Sequence, residues 1–138
     1  MYLCLRLMKT IILIGALWAG CGYLSFGQAS WTKDLPGIGT FSSARTADLN
    51  GDGIDDIVLG AGREELQKSD SGVIALDGKT GRLMWHVSSR DQMFGSAVFQ
   101  DINKDGHPDV FISGRSSELI AIDGFTGKQI WRFDPQAK

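Results

Sequence analysis

Short apolar runs alternate with polar turns along the chain, and they recur in the same order in its two halves. Runs of β-branched and aromatic residues bounded by Gly, Asp and Ser predict strands rather than helices. In the first half the predicted strands span residues 42–47, 56–60, 72–77 and 82–87. In the second half they span residues 95–100, 109–113, 118–123 and 128–133. The pattern therefore predicts an all-β fold with four short strands in each half.

Tryptophans mark the same repeat. Trp31, Trp85 and Trp131 are separated by 54 and 46 residues. The last two each end a segment with the spacing Ala-x-Asp-Gly-x-Thr-Gly-x-x-x-Trp, at residues 75–85 and 121–131. The Asp-Gly-x-Thr-Gly core is typical of a tight hairpin turn between two strands. Four antiparallel strands in a repeat of about 40–50 residues are typical of one β-propeller blade.

The two repeats, at approximately 31–85 and 86–133, are predicted to form one domain over residues 30–138. The first repeat is longer because of a polar stretch near 63–71, which is predicted to be a surface loop. A propeller closes with roughly four to eight blades, so two blades are too few. We expect an incomplete propeller, a fragment with further blades in cis or a unit that oligomerises. The Trp31 segment and the strand at 128–133 are interpreted as outer strands that lack a neighbour.

A nine-residue acidic loop occurs once in each repeat, directly before a predicted strand. Both copies read Asp-x-Asn-x-Asp-Gly-x-x-Asp, at residues 48–56 and 101–109. Side-chain oxygens at positions 1, 3, 5 and 9 of a tight loop suit Ca²⁺, which takes roughly six to eight oxygen ligands. Gly at position 6 permits the sharp turn that brings the carbonyl of position 7 into the shell. Without a cation the carboxylates repel one another, so we expect metal binding to be coupled to folding.

Two other interpretations of these loops are weaker. An EF-hand needs an acidic residue at position 12 and a helix on each side. Position 12 is Leu59 in the first loop and Ile112 in the second, and a predicted strand follows each loop. Clusters of Asp, Asn and Gly also form plain turns. Identical donor positions in two equivalent places of a repeat favour the metal site over the plain turn.

The N-terminus has the pattern of a secretory signal peptide over residues 1–29. Residues 10–26 are apolar and uncharged, Arg6 and Lys9 precede them, and small residues at 27 and 29 form a cleavage-like site. We therefore expect a secreted or extracytoplasmic protein, in the periplasm or at the cell surface, with no membrane span after processing. A helix that stays in the membrane is the alternative. The apolar stretch at 10–26 is just long enough for this, since a spanning helix needs at least about 17 apolar residues.

Both cysteines, Cys4 and Cys21, lie in this leader, so the mature chain has none and cannot be held by disulfides. Cys21 ends a segment that loosely resembles a bacterial lipoprotein box. Lipidation at Cys21 is therefore an alternative to plain secretion.

The charge balance and the two histidines argue against nucleic-acid binding and against a zinc site. The chain has 14 basic and 16 acidic residues, and its formal charge falls from −2 to −4 when Arg6 and Lys9 leave with the leader. No basic stripe is present, which argues against nucleic acid as a partner. His86 and His107 lack the neighbours of a zinc site, and the His107 imidazole is expected to be exposed. The repeat tryptophans are expected to pack between sheets rather than to form a stacking platform.

The segment 94–98 (Phe-Gly-Ser-Ala-Val), the loop at 101–109 and the strand at 110–114 together resemble an FG-GAP (VCBS-type) repeat, with a weaker copy at 41–44. The tryptophan segments resemble the blade motif of quinoprotein-like (pyrroloquinoline-quinone-type) propellers. The resemblance implies a secreted bacterial propeller module in which Ca²⁺ holds the loop between the first two strands of each blade. The implied ligands of the two Ca²⁺ sites are Asp48, Asn50, Asp52, Asp56 and the carbonyl of Ile54, and Asp101, Asn103, Asp105, Asp109 and the carbonyl of His107.

The leading functional hypothesis is a non-catalytic, calcium-stabilised module that binds or adheres to an unidentified extracellular protein or carbohydrate. The alternatives are a fragment of a quinoprotein-type dehydrogenase and a fragment of an outer-membrane scaffold lipoprotein. A quinone pocket needs a closed barrel, which two blades do not form. The sequence shows no nucleophile–base arrangement, so no catalytic or cofactor-binding side chain is predicted.

Overall fold

The computed structural model describes residues 30–135, so the predicted leader lies outside the described residues. The strands in chain order are β1 (Arg45–Ala47), β2 (Asp56–Gly60), β3 (Ser69–Leu76), β4 (Leu83–Ser89), β5 (Val98–Gln100), β6 (Asp109–Ser113), β7 (Leu119–Ile122) and β8 (Gln129–Phe133). None of residues 30–135 is helical. This part of the chain accordingly has no helix with the length and apolar character needed to cross a membrane.

The strands form two four-stranded sheets, and each sheet keeps the order of the chain. We call β1-β2-β3-β4 blade 1 and β5-β6-β7-β8 blade 2. Every neighbouring pair is antiparallel, as expected when consecutive strands are joined by turns and loops rather than by crossover helices. The predicted all-β fold with two propeller-type blades is confirmed.

The Asp-Gly-x-Thr-Gly segment forms the predicted hairpin turn in both blades. In blade 1 the Asp77 amide donates to the Arg82 carbonyl oxygen (2.8 Å), and the Gly81 amide donates to the Asp77 carbonyl oxygen (2.8 Å). The Thr80 amide and hydroxyl both donate to Oδ1 of Asp77, at 2.7 and 2.6 Å. Gly81 has φ +71°, which favours glycine. Residues 123–127 repeat these contacts in blade 2.

The third and fourth strands of blade 1 are longer than the pattern predicted. β3 begins at Ser69, inside the stretch predicted to be a surface loop, and β4 continues to Ser89. Ser69 pairs with Ser89, and a register shift separates this pair from the regular ladder that starts at Val73. Both serines are buried. Two polar residues carry no apolar alternation, so the sequence pattern did not reveal this pairing, and the exposed loop is confined to 63–68.

The predicted N-terminal strand at Trp31 is wrong. Trp31 lies outside any strand, and its indole Nε1 donates to the Gly78 carbonyl oxygen at 2.8 Å. Its ring covers Gly81 so closely that a Cβ there would collide with it. Residues 31–38, here called the N-terminal segment, also pack Leu35 and Ile38 on the far face of blade 1 from Trp85, against Ala61, Ile74 and Leu76. This segment thus joins blade 1 through side chains and not through a strand ladder.

The main core lies between the two blades. Blade 1 contributes Leu49, Trp85 and Val87, and residues of β6 and β7 pack against them in one buried cluster. The Trp85 indole donates from Nε1 to the Gly124 carbonyl oxygen of blade 2 at 2.7 Å. Trp85 therefore packs between sheets as predicted. Trp131, its counterpart in blade 2, is 39% exposed, because within the described residues no sheet follows blade 2.

A buried carboxylate braces the boundary between the blades. Asp91 accepts hydrogen bonds from the Leu66 and Gln92 amides, both at 2.8 Å, and from the Ser116 hydroxyl at 3.0 Å. Burial alone would raise the pKa of Asp91, but these donors, with the charge of Arg115, hold it below its ordinary value. Asp91 thus ties a loop of blade 1 to a loop of blade 2.

Candidate metal-binding loops

The two acidic loops occupy equivalent places in the fold. The loop at 48–56 connects β1 to β2, and the loop at 101–109 connects β5 to β6. The last residue of each loop is the first residue of the following strand, since Ala47 pairs with Asp56 and Gln100 pairs with Asp109. The blade geometry therefore places the position 9 carboxylate at the base of each loop.

In the first loop the side chains at positions 1, 3 and 5 accept hydrogen bonds from the loop's own backbone. Asp48 accepts from the amides of Gly51 (2.7 Å), Asp52 (3.1 Å) and Gly53 (2.9 Å). Asn50 Oδ1 accepts from the Asp52 amide and Asp52 Oδ1 accepts from the Ile54 amide, each at 2.9 Å. The pKa of Asp48 lies below its ordinary value, chiefly because the Gly53 amide donates to it. The loop is thus shaped by the same oxygens that were predicted to bind metal.

Asp56 at position 9 has a different environment. It is 1% exposed, and its two carboxylate oxygens accept from the Leu49 amide (3.0 Å) and the Gly78 amide (2.9 Å). Burial raises the pKa of Asp56 against the effect of these two amides, and the carboxylates of Asp77 and Asp52 raise it further. Asp56 therefore joins the acidic loop to the hairpin turn while three negative charges lie near one another.

The second loop repeats this arrangement. Asp101 accepts from the Lys104 amide (2.7 Å) and the Gly106 amide (3.1 Å). Asp105 Oδ1 accepts from the His107 amide at 2.9 Å. Asp109 is fully buried, and its Oδ2 accepts from the Ile102 amide at 2.9 Å. Both predicted loops thus have the same fold, as their shared spacing predicts.

Three carboxylates of blade 2 converge on one amide group. Nδ2 of Asn103 lies 2.9 Å from Asp105 Oδ2, 3.2 Å from Asp123 Oδ2 and 3.4 Å from Asp109 Oδ1. Asp123 belongs to the hairpin turn and was not among the predicted ligands. Its counterpart in blade 1 is Asp77, whose charge acts on Asp56. The Asp repeated in the two tryptophan segments was the available signal, but its position in a hairpin turn indicated only a turn-forming role.

The residues at position 7 differ between the loops. Ile54 is 40% exposed. The His107 imidazole is not simply exposed as predicted, because it stacks on Phe125 with ring centroids 4.6 Å apart and an interplanar angle of 20°. It also lies against Gly51 of the first loop, where a Cβ would be 3.2 Å from His107 Cε1. His107 therefore links the acidic loops of the two blades.

The two acidic loops are negatively charged and rich in oxygen atoms. Their carboxylates accept hydrogen bonds from N–H groups. Among residues 30–135 no group of three or more His, Cys, Asp or Glu side chains is already arranged around a common metal position. A carboxylate oxygen that accepts one amide retains a second lone pair for a cation. The donor set at positions 1, 3, 5 and 9 fits a hard cation such as Ca²⁺ by its chemistry.

Comparison with known families adds to this geometry. Residues 27–132 match the protein family described as outer membrane protein assembly factor BamB. The chain belongs to this family. The match covers both blades and both tryptophan segments, and it supports the predicted pyrroloquinoline-quinone-type blade motif. The resemblance to FG-GAP repeats stays a prediction. No curated protein and no solved structure matches the chain.

Proposed function

We propose that the chain is a non-catalytic scaffold unit, located outside the cytoplasm, that takes part in the assembly of outer membrane proteins. The family match over residues 27–132 carries this proposal. It favours the scaffold interpretation, which the sequence left as an alternative, over the adhesion role. The family description is compatible with an extracytoplasmic location, and the signal-like pattern at 1–29 supports the same location.

Deletion of the gene tests this role directly. We expect the outer membrane of the deletion strain to contain less of its β-barrel proteins, as measured by quantitative proteomics of purified membranes. A plasmid copy of the wild-type gene is expected to restore them, and a copy encoding Trp85→Ala, which removes the indole packed between the blades, is expected not to. Unchanged levels of all outer membrane proteins would reject the scaffold role.

The competing enzymatic interpretation has its own test. A quinoprotein-type dehydrogenase reduces a dye when pyrroloquinoline quinone and an alcohol are added. The scaffold proposal expects no turnover above the level of a heat-denatured sample. Turnover that depends on the quinone would replace the scaffold role with the dehydrogenase role.

We also propose that each acidic loop binds one Ca²⁺. The convergence of Asp105, Asp109 and Asp123 on one amide nitrogen supports this proposal, as does the effect of the Asp77 and Asp52 carboxylates, which raise the pKa of Asp56. Three carboxylates in one small volume repel, and a divalent cation removes that repulsion. The proposed side-chain ligands are the eight predicted at positions 1, 3, 5 and 9, with the carbonyls of Ile54 and His107.

Calorimetric titration with Ca²⁺ tests these sites. The wild-type chain is expected to bind two ions. Asp52→Asn is expected to bind one, whereas Asp55→Asn is the matched control, since Asp55 is also exposed in the same loop but lies outside the ligand pattern. Its carboxylate accepts the Thr46 hydroxyl, at 3.1 Å. Absence of heat at millimolar Ca²⁺, together with a melting temperature unchanged by a chelator, would reject both sites.

The processing of the predicted leader is tested by a separate measurement. We propose export followed by either cleavage after Ala29 or lipidation at Cys21. Mass spectrometry of the exported protein distinguishes the two, because a free Ser30 terminus excludes lipidation. An intact N-terminus in the exported fraction would contradict both.

A further inference from the structure

Asn50 and Gly51 form a chemically reactive pair in the first acidic loop. The backbone nitrogen of the residue that follows an asparagine is able to attack the asparagine side chain, and glycine obstructs this attack least because it has no side chain. The sequence contains two asparagines, one at position 3 of each acidic loop. Asn50 is followed by Gly51, whereas Asn103 is followed by Lys104. The first loop therefore carries the reactive pair and the second does not.

The fold explains why glycine occupies residue 51. Gly51 has φ +77°, in the left-handed region that favours glycine. Residue 51 has a further constraint, because a Cβ there would lie 3.2 Å from Cε1 of His107. A side chain at this place would push against the ring that is stacked on Phe125. Glycine at residue 51 thus permits the contact between the acidic loops of the two blades.

The folded loop holds both reacting groups in hydrogen bonds. The Gly51 amide donates to Asp48 Oδ1 at 2.7 Å, and the Asn50 side-chain oxygen accepts from the Asp52 amide at 2.9 Å. Attack requires that the Gly51 nitrogen lose its proton, and the charge of the Asp48 carboxylate opposes the negative charge that would then develop on this nitrogen. The folded loop therefore suppresses the reaction, and an opened loop permits it.

We propose that Asn50 is a site of spontaneous modification, protected while the first acidic loop is folded and converted to aspartate or isoaspartate when the loop opens. In the open loop the Gly51 nitrogen loses its proton to water and bonds to Cγ of Asn50. The bond from Cγ to Nδ2 breaks, and Nδ2 takes a proton from water and leaves as ammonia, which produces a cyclic succinimide. Water then cleaves the ring at Cγ, which gives aspartate, or at the backbone carbonyl carbon, which gives isoaspartate.

The isoaspartate product changes the loop more than aspartate does. In isoaspartate the chain runs through Cγ, so an extra backbone carbon enters the loop directly after Leu49. Leu49 is fully buried between the blades, and its amide donates to Asp56 Oδ2 at 3.0 Å. The extra carbon is therefore expected to disturb the contact between the blades. This inference depends on neither the assembly role nor Ca²⁺.

Peptide mass spectrometry tests the proposal. The full chain is kept in a mild detergent at neutral pH with a chelator, either folded or unfolded in guanidinium chloride, and is digested with a protease that works at acidic pH. Conversion of Asn50 is expected to be roughly tenfold or more slower in the folded chain, as for a loop that is open for roughly a tenth of the time or less. Equal rates in the folded and unfolded chains would overturn the proposal.

Asn103 provides the internal control. In the unfolded chain Asn50 is expected to react at least several-fold faster than Asn103, because Gly51 obstructs the attack less than Lys104 does. Both asparagines are compared in one sample, so differences in handling cancel. Equal rates at Asn50 and Asn103, or no conversion of Asn50 in the unfolded chain, would overturn the proposal.

Lys104→Gly creates the reactive pair in the second loop. Lys104 has φ +63°, which suits glycine, so the variant is expected to fold. In the unfolded variant Asn103 should react several-fold faster than Asn103 of the wild type, while the rate at Asn50 is unchanged. An unchanged rate at Asn103 would show that the residue after the asparagine does not control the reaction, and would overturn the proposal.

The protecting role of Asp48 also has a matched control. Asp48→Ala removes the acceptor of the Gly51 amide, so conversion of Asn50 in the folded chain is expected to become several-fold faster. Asp101→Ala removes the equivalent acceptor of the Lys104 amide and is expected to leave Asn50 unaffected. Equal effects of the two variants, or no effect of Asp48→Ala, would contradict protection by the folded loop.

Thermal melting tests the consequence for the fold. A sample rich in isoaspartate at residue 50 is expected to melt at a lower temperature than Asn50→Asp, which has the charge of the product without the extra backbone carbon. Equal melting temperatures would show that the modification does not reach the contact between the blades.

Discussion

The two blades share their strand order, their acidic loop and their hairpin turn, yet equivalent side chains lie in different environments. Leu49 and Trp85 of blade 1 are 0% and 8% exposed, whereas Ile102 and Trp131 of blade 2 are 43% and 39% exposed. The difference arises because blade 1 is covered by blade 2 on one face and by the N-terminal segment on the other. A repeat motif therefore specifies which side chains are able to pack, and the neighbouring unit decides whether they do.

The largest expected effect comes from exchanging the repeat tryptophans for alanine. Trp85→Ala removes a buried indole and its hydrogen bond to Gly124, which should cost about 3–5 kcal/mol of unfolding free energy. Trp131→Ala in the equivalent position should cost about 1 kcal/mol, because the side chain is partly exposed. Urea denaturation at low protein concentration measures both. Equal losses would mean that the two blades are less different than the structure shows.

Leu49 and Ile102, at position 2 of the two acidic loops, allow the same comparison between a buried and an exposed side chain. Neither side chain forms a hydrogen bond. Leu49→Ala should cost about 3 kcal/mol, because Leu49 is fully buried beside Gly124. Ile102→Ala should stay within about 0.5 kcal/mol of the wild type, as for other surface positions. Thermal melts monitored by circular dichroism measure both changes. A large loss of stability for Ile102→Ala in dilute solution would indicate that the Ile102 side chain is already buried in a contact.

Two carboxylates of the first acidic loop are predicted to differ in how much they stabilise the fold. Asp56→Ala leaves the Leu49 and Gly78 amides without their acceptor, which should cost about 2 kcal/mol. Asp52→Ala, at an exposed position of the same loop, should cost about 0.5 kcal/mol. Urea denaturation in the presence of a chelator measures the two without any contribution from metal. Similar losses would contradict the bracing role of Asp56.

The smallest effect is a pH dependence at the boundary of the blades. The pKa of Asp91 is lower in the folded chain than its ordinary value near 3.8, so its ionised form stabilises the fold above that value. This contribution is lost as the pH falls through the lower, folded pKa. The wild type should therefore lose more stability than Asp91→Asn between neutral pH and about pH 3. Parallel losses in urea denaturation would show that Asp91 does not contribute to acid sensitivity.

Most of the fold could be predicted because its signals are local. Alternating apolar residues located all eight strands, and the Asp-Gly-x-Thr-Gly spacing identified both turns. The strand predicted at Trp31 failed because a single tryptophan beside polar residues has no partner strand in the sequence, and its role depends on Gly78, 47 residues away. The pairing of Ser69 with Ser89 was missed for a similar reason, since two serines lack an apolar pattern.

The candidate metal site was predicted only in part. The spacing within each loop gave its oxygen donors, because these residues are within nine positions of one another. Asp77 and Asp123 were not recognised beside the loops, because the turn that carries them approaches each loop only after the third strand has paired with the second. The stacking of His107 on Phe125 depends on the same approach.

The sequence alone determined the strands, the turns and the composition of the acidic loops, because alternation, turn chemistry and side-chain oxygens act over a few neighbouring residues. Only the tertiary structure decided which copy of each motif is buried, which aspartates meet, and that Trp31 occupies the turn of blade 1. Those outcomes depend on contacts between residues tens of positions apart, and two segments that share one motif acquire different roles when only one of them has a blade packed against it.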